Sequence, residues 1–167
     1  MSMKALTLYA PYARLIALGK KSYETRPPTY NYRHRGLLAI HEAQKELDME
    51  LVNRLMSASS ELQVNDLVVP NKGCIVAIAQ LRAVCTMASV VDFEPESAAD
   101  ISHYRFIENQ TPLELTVGDW RPGRKALELT DVQILPDPVP ARGYPGLWDV
   151  PDEVERRIWS QLGRRVA

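Results

Sequence analysis

The run from Gly73 to Met87 constrains the fold of this chain more than any other segment. Almost every position in it is apolar, and β-branched residues recur at Ile75, Val76 and Ile78. Apolar runs without polar alternation are typical of a strand that is buried on both faces at the centre of a sheet. We expect this strand to bend where it continues past Arg82. The rest of the chain must therefore build a sheet around this segment.

The other segments predict strands and helices in mixed order. Extended structure is predicted over 3–9, 21–26, 36–41 and 125–135 from apolar alternation and, before Pro27, from the steric restriction imposed by proline. Helices are predicted from Pro11 to a stop at Gly19, over 45–56 and over 151–163. Residues 92–115 are acidic and weakly patterned, and we interpret them as an irregular insertion. This order predicts one α+β domain over 1–167 with a small closed or nearly closed mixed sheet.

Composition favours a soluble protein without a metal centre. The 167 residues are 46% hydrophobic and 25% charged, which is ordinary for a globular domain. No apolar run approaches the roughly 18 residues that span a bilayer, and no signal peptide is recognisable, so we expect a cytoplasmic protein. The histidines (His34, His41 and His103) and the two cysteines lack metal-ligand spacing. We therefore expect no metal, no cofactor and no obligate protein partner.

Positive charge is concentrated near the start of the chain. The first 35 residues carry one acidic residue, Glu24, and seven basic ones: Lys4, Arg14, Lys20, Lys21, Arg26, Arg33 and Arg35. The chain as a whole has a formal net charge of −1, so the remainder is acidic. A basic region on an acidic body favours an anionic ligand, such as RNA or a nucleotide, at one place. Chance clustering over several faces is the alternative.

The densest group of charges lies in the segment Gly19–Arg26, GKKSYETR. Strand alternation predicts that Glu24 and Arg26 share one side of an extended segment, with Lys21 at its start. Buried charges need partners or a ligand, because removing them from water is costly. The segment therefore indicates either a polar site or, as the alternative, a solvated charge cluster at a helix end.

The spacing Gly19-x-Lys21-x-x-Glu24-x-Arg26 is similar to the signature of the ASCH family, relatives of the PUA RNA-binding domain. Four more segments resemble this family in the expected order: 3–13, 36–42 with its Ile-His pair, the glycine-led 73–79, and 118–151. The resemblance implies a PUA-like β-barrel with flanking helices. It also implies a cleft lined by the lysine, the glutamate and the arginine, and a function related to RNA.

Our first hypothesis is recognition of RNA or a modified nucleoside in this cleft. Lys21 and Arg26 would contact phosphate or a base edge, and Glu24 would accept a hydrogen bond from a base amino group. Arg33 and Arg35 would add nonspecific attraction. Aromatic side chains that could stack on exposed bases, or instead pack in the core, are Tyr9, Tyr12, Tyr30, Tyr32 and Trp120.

Hydrolysis is the second hypothesis. Small ASCH members with the same motif lysine hydrolyse acylated cytidine nucleosides, but they have threonine where this chain has Glu24. A desolvated Lys21 is a candidate general base, although a nearby Glu24 would hold it protonated. His41 is a candidate acid or base, so a metal-independent ribonuclease using Lys21, Glu24 and His41 is a further possibility. The third hypothesis is a non-catalytic, regulatory interaction module.

Overall fold

A computed structural model describes residues 2–68, 70–94 and 98–163. Its strands are β1 Lys4–Leu8, β2 Tyr23–Arg26, β3 Gly36–Glu42, β4 Cys74–Ala88, β5 Tyr104–Phe106, β6 Lys125–Pro140 and β7 Leu147–Asp149. Its α-helices are α1 Tyr12–Ala17, α2 Met49–Ala58, α3 Val64–Leu67, α4 Pro112–Val117 and α5 Asp152–Gln161. Short 3₁₀ helices span Ala98–His103 and Ile107–Asn109. None of the helices in the described ranges has the length and hydrophobicity required to cross a membrane.

The predicted central strand is confirmed as β4. The strands follow the order β2-β6-β4-β3-β1-β7, and β5 adds to β4 outside this path. β4 is antiparallel to β3 and β6, whereas β1 and β3 are parallel. Ile75, Ala77 and Ala79 are fully buried, as expected for the middle of the sheet. Three register shifts between β4 and β6 bend these long strands.

The expectation of a closed barrel is wrong. β2 and β7 are the two ends of the path of paired strands, and they do not pair with each other in the part of the chain that the structure describes. β2 has four residues and is followed by Pro27 and Pro28, which lack the N–H groups needed to extend a ladder. β7 has three residues and is soon followed by Pro151. The apolar pattern predicted the longer strands, but it carries no information about closure.

The segment expected to be an irregular insertion contains regular structure. Residues 104–106 form β5, which pairs in parallel with Thr86–Ala88, and Pro112–Val117 form α4. Residues 95–97 of the same segment lie outside the described ranges. The Thr111 hydroxyl caps α4 by accepting from the Glu114 N–H at 3.1 Å. Both elements are too short to show a periodic apolar pattern, yet α4 supplies part of the site described below.

The first and last parts of the chain are joined at one edge of the sheet. β1 pairs with β7, and the Val150 N–H donates to the Met3 carbonyl at 2.8 Å. The Lys4 ammonium lies 2.8 Å from the Asp149 carboxylate. α5 packs over this edge and buries Ile158. The loop between β6 and β7 is thereby held beside the end of β1.

Glu42, the last residue of β3, carries a buried carboxyl group. Its side chain has no solvent exposure, and burial raises its pKa to about 7, although the nearby Arg14 opposes this shift. The folded protein therefore binds this proton more tightly than the unfolded chain does. The resulting contribution to stability is full below the unfolded pKa and is lost as the pH rises through 7.

We expect the Glu42→Gln variant to remove this pH dependence. Between about pH 5 and about pH 8, the unfolding free energy of wild type should fall by at most about 3 kcal/mol more than that of the variant. Urea unfolding across this range measures the difference. Glu46→Gln is the control, because the Glu46 side chain is 88% exposed. Parallel pH profiles for wild type and Glu42→Gln would contradict the assignment.

Candidate functional site

Lys21 is buried where α1 gives way to β2. Gly19, with a φ of +73°, ends the helix, and the N–H groups of Lys20 and Lys21 both donate to the Leu15 carbonyl. This tight turn directs the Lys21 side chain inward, where only 1% of it is exposed. The chain direction thus places a cation in the interior before the strand begins.

The Lys21 ammonium group is enclosed by three elements. Its Nζ donates to the Val117 carbonyl at the end of α4 at 2.8 Å and lies 3.9 Å from Glu24 Oε2 on β2. The Tyr12 ring of α1 covers it, with the centroid 5.5 Å from Nζ. Lys21 therefore ties α1, β2 and α4 together through one charged group.

Burial dominates the electrostatics of this lysine. It lowers the pKa of Lys21, even though the carboxylates of Glu24 and Glu114 act in the opposite direction. The sequence indicated that Glu24 would hold the ammonium protonated, and that effect is present but smaller than desolvation. Lys21 therefore releases its proton more readily than a solvated lysine.

The Glu24 carboxylate lies between two cations. Arg26 Nε lies 3.1 Å from Glu24 Oε1, opposite the contact with Lys21, so the strand alternation expected from the sequence is confirmed. The N–H of Nε does not form a hydrogen bond in this contact. The Arg26 guanidinium also lies over the Tyr30 ring, 5.2 Å from its centroid. The pair presents an acceptor and several N–H donors side by side.

A cleft of about 470 Å³ opens beside this pair. We use "cleft" for the space bounded by the residues Thr7, Leu8, Tyr9, Tyr12, Glu24, Arg26, Tyr30 and 143–146. Lys21 does not line it and lies behind Glu24 and Tyr12. The buried Tyr30 hydroxyl has no hydrogen-bond partner among the described residues. The cleft thus combines four tyrosines with the carboxylate of Glu24 and the guanidinium of Arg26.

Glu114 belongs to the surroundings of Lys21 but was missed in the sequence. Its Oε1 accepts from the Ser22 N–H, and its Oε2 has no partner among the described residues. Burial raises the pKa of Glu114, while the charge of Lys21 opposes the shift. The pattern Thr111-Pro112-x-Glu114 is a helix-start signal that could have placed it on α4. Nothing in the sequence indicates that its side chain turns towards Ser22.

Several predicted binding residues lie outside the cleft. Trp120 is 9% exposed, its Nε1 donates to the Glu114 carbonyl, and its ring packs edge-on against Tyr23, so it offers no free face for stacking. Tyr32 packs against Tyr30 without bounding the cleft. Arg33 is exposed away from it, and Arg35 lies in a separate depression with two carboxylates, Asp149 and Glu155.

The basic residues at the start of the chain therefore do not form one patch. Lys4 pairs with Asp149, Lys20 pairs with Asp66, and Lys21 is buried. Only Arg26 of this group bounds the cleft. The charge asymmetry of the sequence is real, but folding distributes it over several faces.

His41 lies beneath a second depression that we call the side groove. The side groove has a volume of about 650 Å³ and is bounded by Thr7, Tyr9, His41, Ala43, Gln44, Lys45, Gly73 and 140–143. His41 is 1% exposed and its Nε2 donates to the Ala141 carbonyl at 2.9 Å, because a carbonyl can only accept. Burial lowers the pKa of His41, which favours the neutral ring. In this arrangement His41 anchors the 141–143 segment, and its ring does not reach the group formed by Lys21 and Glu24.

Within the described ranges, no three side chains of His, Cys, Asp or Glu come together as a metal site would require.

The cleft can hold a flat polar ligand between tyrosine rings and hydrogen-bond it through Glu24 and Arg26. Behind the cleft wall, the buried Lys21 ammonium lies 3.9 Å from the Glu24 carboxylate.

Comparison with known proteins identifies a family and a fold. The family model of the ASCH domain matches residues 6–131. Two variants of the ASCH protein from Zymomonas mobilis, one with tyrosine replaced by phenylalanine and one with serine replaced by alanine, have similar structures. Each is 13% identical to this chain with a TM-score of 0.50. The alignment with the phenylalanine variant covers 96% of this chain and 98% of that variant. The alignment with the alanine variant covers 95% of this chain and 95% of that variant. No curated protein sequence matches the chain.

The buried position of Lys21 leads to a prediction about stability. We expect Lys21→Met to lower the unfolding free energy by about 2–4 kcal/mol, because the Val117 carbonyl and Glu24 lose a buried partner. Lys20→Met is the matched control, since its 30% exposed side chain pairs with Asp66 near the surface and should cost less than about 1 kcal/mol. Urea unfolding of both variants measures the difference, and equal losses would argue against the assigned role of Lys21.

Proposed function

Because the chain belongs to the ASCH domain family, we propose that it recognises RNA or a modified nucleoside and that the cleft holds the base. The volume of about 470 Å³ lies in the usual range for small-ligand sites. Four tyrosines border the space, and their rings offer faces and edges against which a base can pack. The proposed ligand is therefore a planar, hydrogen-bonding group.

The observation that carries the proposal is the Glu24–Arg26 pair at the cleft wall. The carboxylate accepts from an exocyclic amino group, and the terminal N–H groups of the guanidinium donate to a neighbouring ring nitrogen or carbonyl. Cytosine and adenine present an amino group beside an acceptor in this way.

Lys21 acts in this proposal through Glu24. Its ammonium lies behind the carboxylate and cannot reach a ligand in the cleft without a rearrangement of Glu24 or Tyr12. Holding Glu24 between Lys21 and Arg26 restricts its rotamers before the ligand arrives. Such preorganisation lowers the entropic cost of binding.

Titration with cytidine, adenosine, guanosine, uridine, N4-acetylcytidine and single-stranded RNA at low salt tests the proposal. We expect binding that weakens by about tenfold or more in Glu24→Gln and Arg26→Ala, because charged hydrogen bonds are lost. Arg33→Ala is the matched control, since Arg33 is exposed and lies outside the cleft. Absence of binding to every probe, or an equal effect of Arg33→Ala, would refute the proposal.

The second candidate function is hydrolysis of an acyl group from the exocyclic amine of a nucleobase. It is favoured by burial, which lowers the pKa of Lys21, although the carboxylates of Glu24 and Glu114 oppose this shift. In such a reaction water adds to the acyl carbon, the C–N bond breaks, and the proton released by water is delivered to the departing amine. Lys21 and Glu24 would carry this proton, and Arg26 would stabilise the developing oxyanion.

Incubation with N4-acetylcytidine, followed by chromatography, tests this second function. We expect cytidine and acetate from wild type and a loss of at least about a hundredfold in Lys21→Arg, since arginine remains charged and cannot relay a proton. Circular dichroism shows whether the variant is folded. Undiminished turnover in folded Lys21→Arg would show that Lys21 takes no part in the reaction. If wild type binds N4-acetylcytidine without turnover, hydrolysis is refuted and recognition remains as the proposed function.

A further inference from the structure

The side groove adjoins the cleft. Thr7, Tyr9 and Gly143 bound both spaces. Gly143 packs closely at this boundary, because a Cβ there would lie 2.5 Å from His41 Cε1 and 2.7 Å from Thr7 Oγ1. A group attached to a ligand in the cleft would therefore lie close to the side groove.

The side groove differs from the cleft in its charge. It is bounded by two cationic side chains, Lys45 and Arg142, and by no acidic side chain among the described residues. Both cations are exposed, and neither forms an ion pair with a described residue. Lys4, Lys20 and Arg26 pair with carboxylates, whereas Lys45 and Arg142 are free to meet an anion from solution.

Each of the two cations rests against a tyrosine of the cleft. Lys45 Nζ lies 4.9 Å from the Tyr9 ring centroid, and Arg142 Cζ lies 5.4 Å from the Tyr144 ring centroid. These contacts hold both charges next to the cleft, and their N–H groups form no hydrogen bond with a described residue. The hydrogen bond from His41 to the Ala141 carbonyl fixes the backbone that carries Arg142.

We propose that the side groove binds the phosphodiester next to the base held in the cleft, so that the ligand is a nucleotide within an RNA strand and not a free nucleoside. This inference rests on the function proposed above, because it needs a base in the cleft. Lys45 supplies a point charge and Arg142 a fork of donors for the phosphate oxygens. The cleft then determines which base is accepted, and the side groove requires that it be part of a strand.

The proposal is tested by extending the ligand in steps. The probes are cytidine and adenosine, their 3′- and 5′-monophosphates, and the corresponding RNA dinucleotides, measured by NMR titration at low salt. We expect an added phosphate on one side of the nucleoside to strengthen binding by about tenfold, and salt to weaken the phosphorylated ligands selectively. The nucleosides themselves should respond little to salt.

The double variant Lys45→Ala with Arg142→Ala should reduce this gain to less than about threefold and leave nucleoside affinity within about twofold of wild type. Arg156→Ala is the control, because Arg156 is an exposed cation on α5 that bounds neither space. We expect it to preserve the gain.

The outcomes separate the two proposals. If no nucleoside or RNA probe binds, the function proposed for the cleft fails, and this inference fails with it. If nucleosides bind but added phosphate brings no gain, only the side-groove proposal is overturned. A gain that survives in the double variant, or that Arg156→Ala removes equally, also overturns it, since the attraction would then arise elsewhere or from overall charge.

Discussion

The burial of one ammonium group determines how this site is built. Lys21 can be removed from water only because the Val117 carbonyl, the Glu24 carboxylate and the Tyr12 ring surround it. These groups belong to three separate elements, so satisfying one charge fixes their relative positions. The cleft is formed on the far side of two of the same groups. Its shape therefore depends on a residue that a ligand in the cleft does not touch.

Much of the fold could be predicted from apolar pattern. The run of buried residues in β4 is long and rich in β-branched side chains, and the structure places it between β3 and β6. β5 and β7 have three residues each and α4 has six, too few for a period to appear. Barrel closure depends on contacts between distant edges, which neither propensity nor local alternation encodes.

In the site, too, features that depend on local sequence could be predicted, and features that depend on tertiary packing could not. The contact between Glu24 and Arg26 followed from a two-residue period, which is a local property of an extended backbone. The location of Trp120 did not, because its ring packs against Tyr23, which is distant in sequence, and its Nε1 donates to the Glu114 carbonyl of α4. His41 likewise appeared suited to acid–base chemistry from its residue type. In the structure, its ring donates a hydrogen bond to the Ala141 carbonyl. Residue type indicated which groups are chemically capable, and tertiary packing decided where they lie.

The pairing of β1 with β7 has a consequence for the order in which the molecule is made. Tyr9 and Tyr12, which bound the cleft, are synthesised well before residues 143–146, which also bound it. The later segment is held in place only when β7 adds beside β1. A nascent chain that still lacks these residues has the charged motif but not the cavity. The cleft can therefore form only once residues 143–149 have been synthesised and β7 has paired with β1.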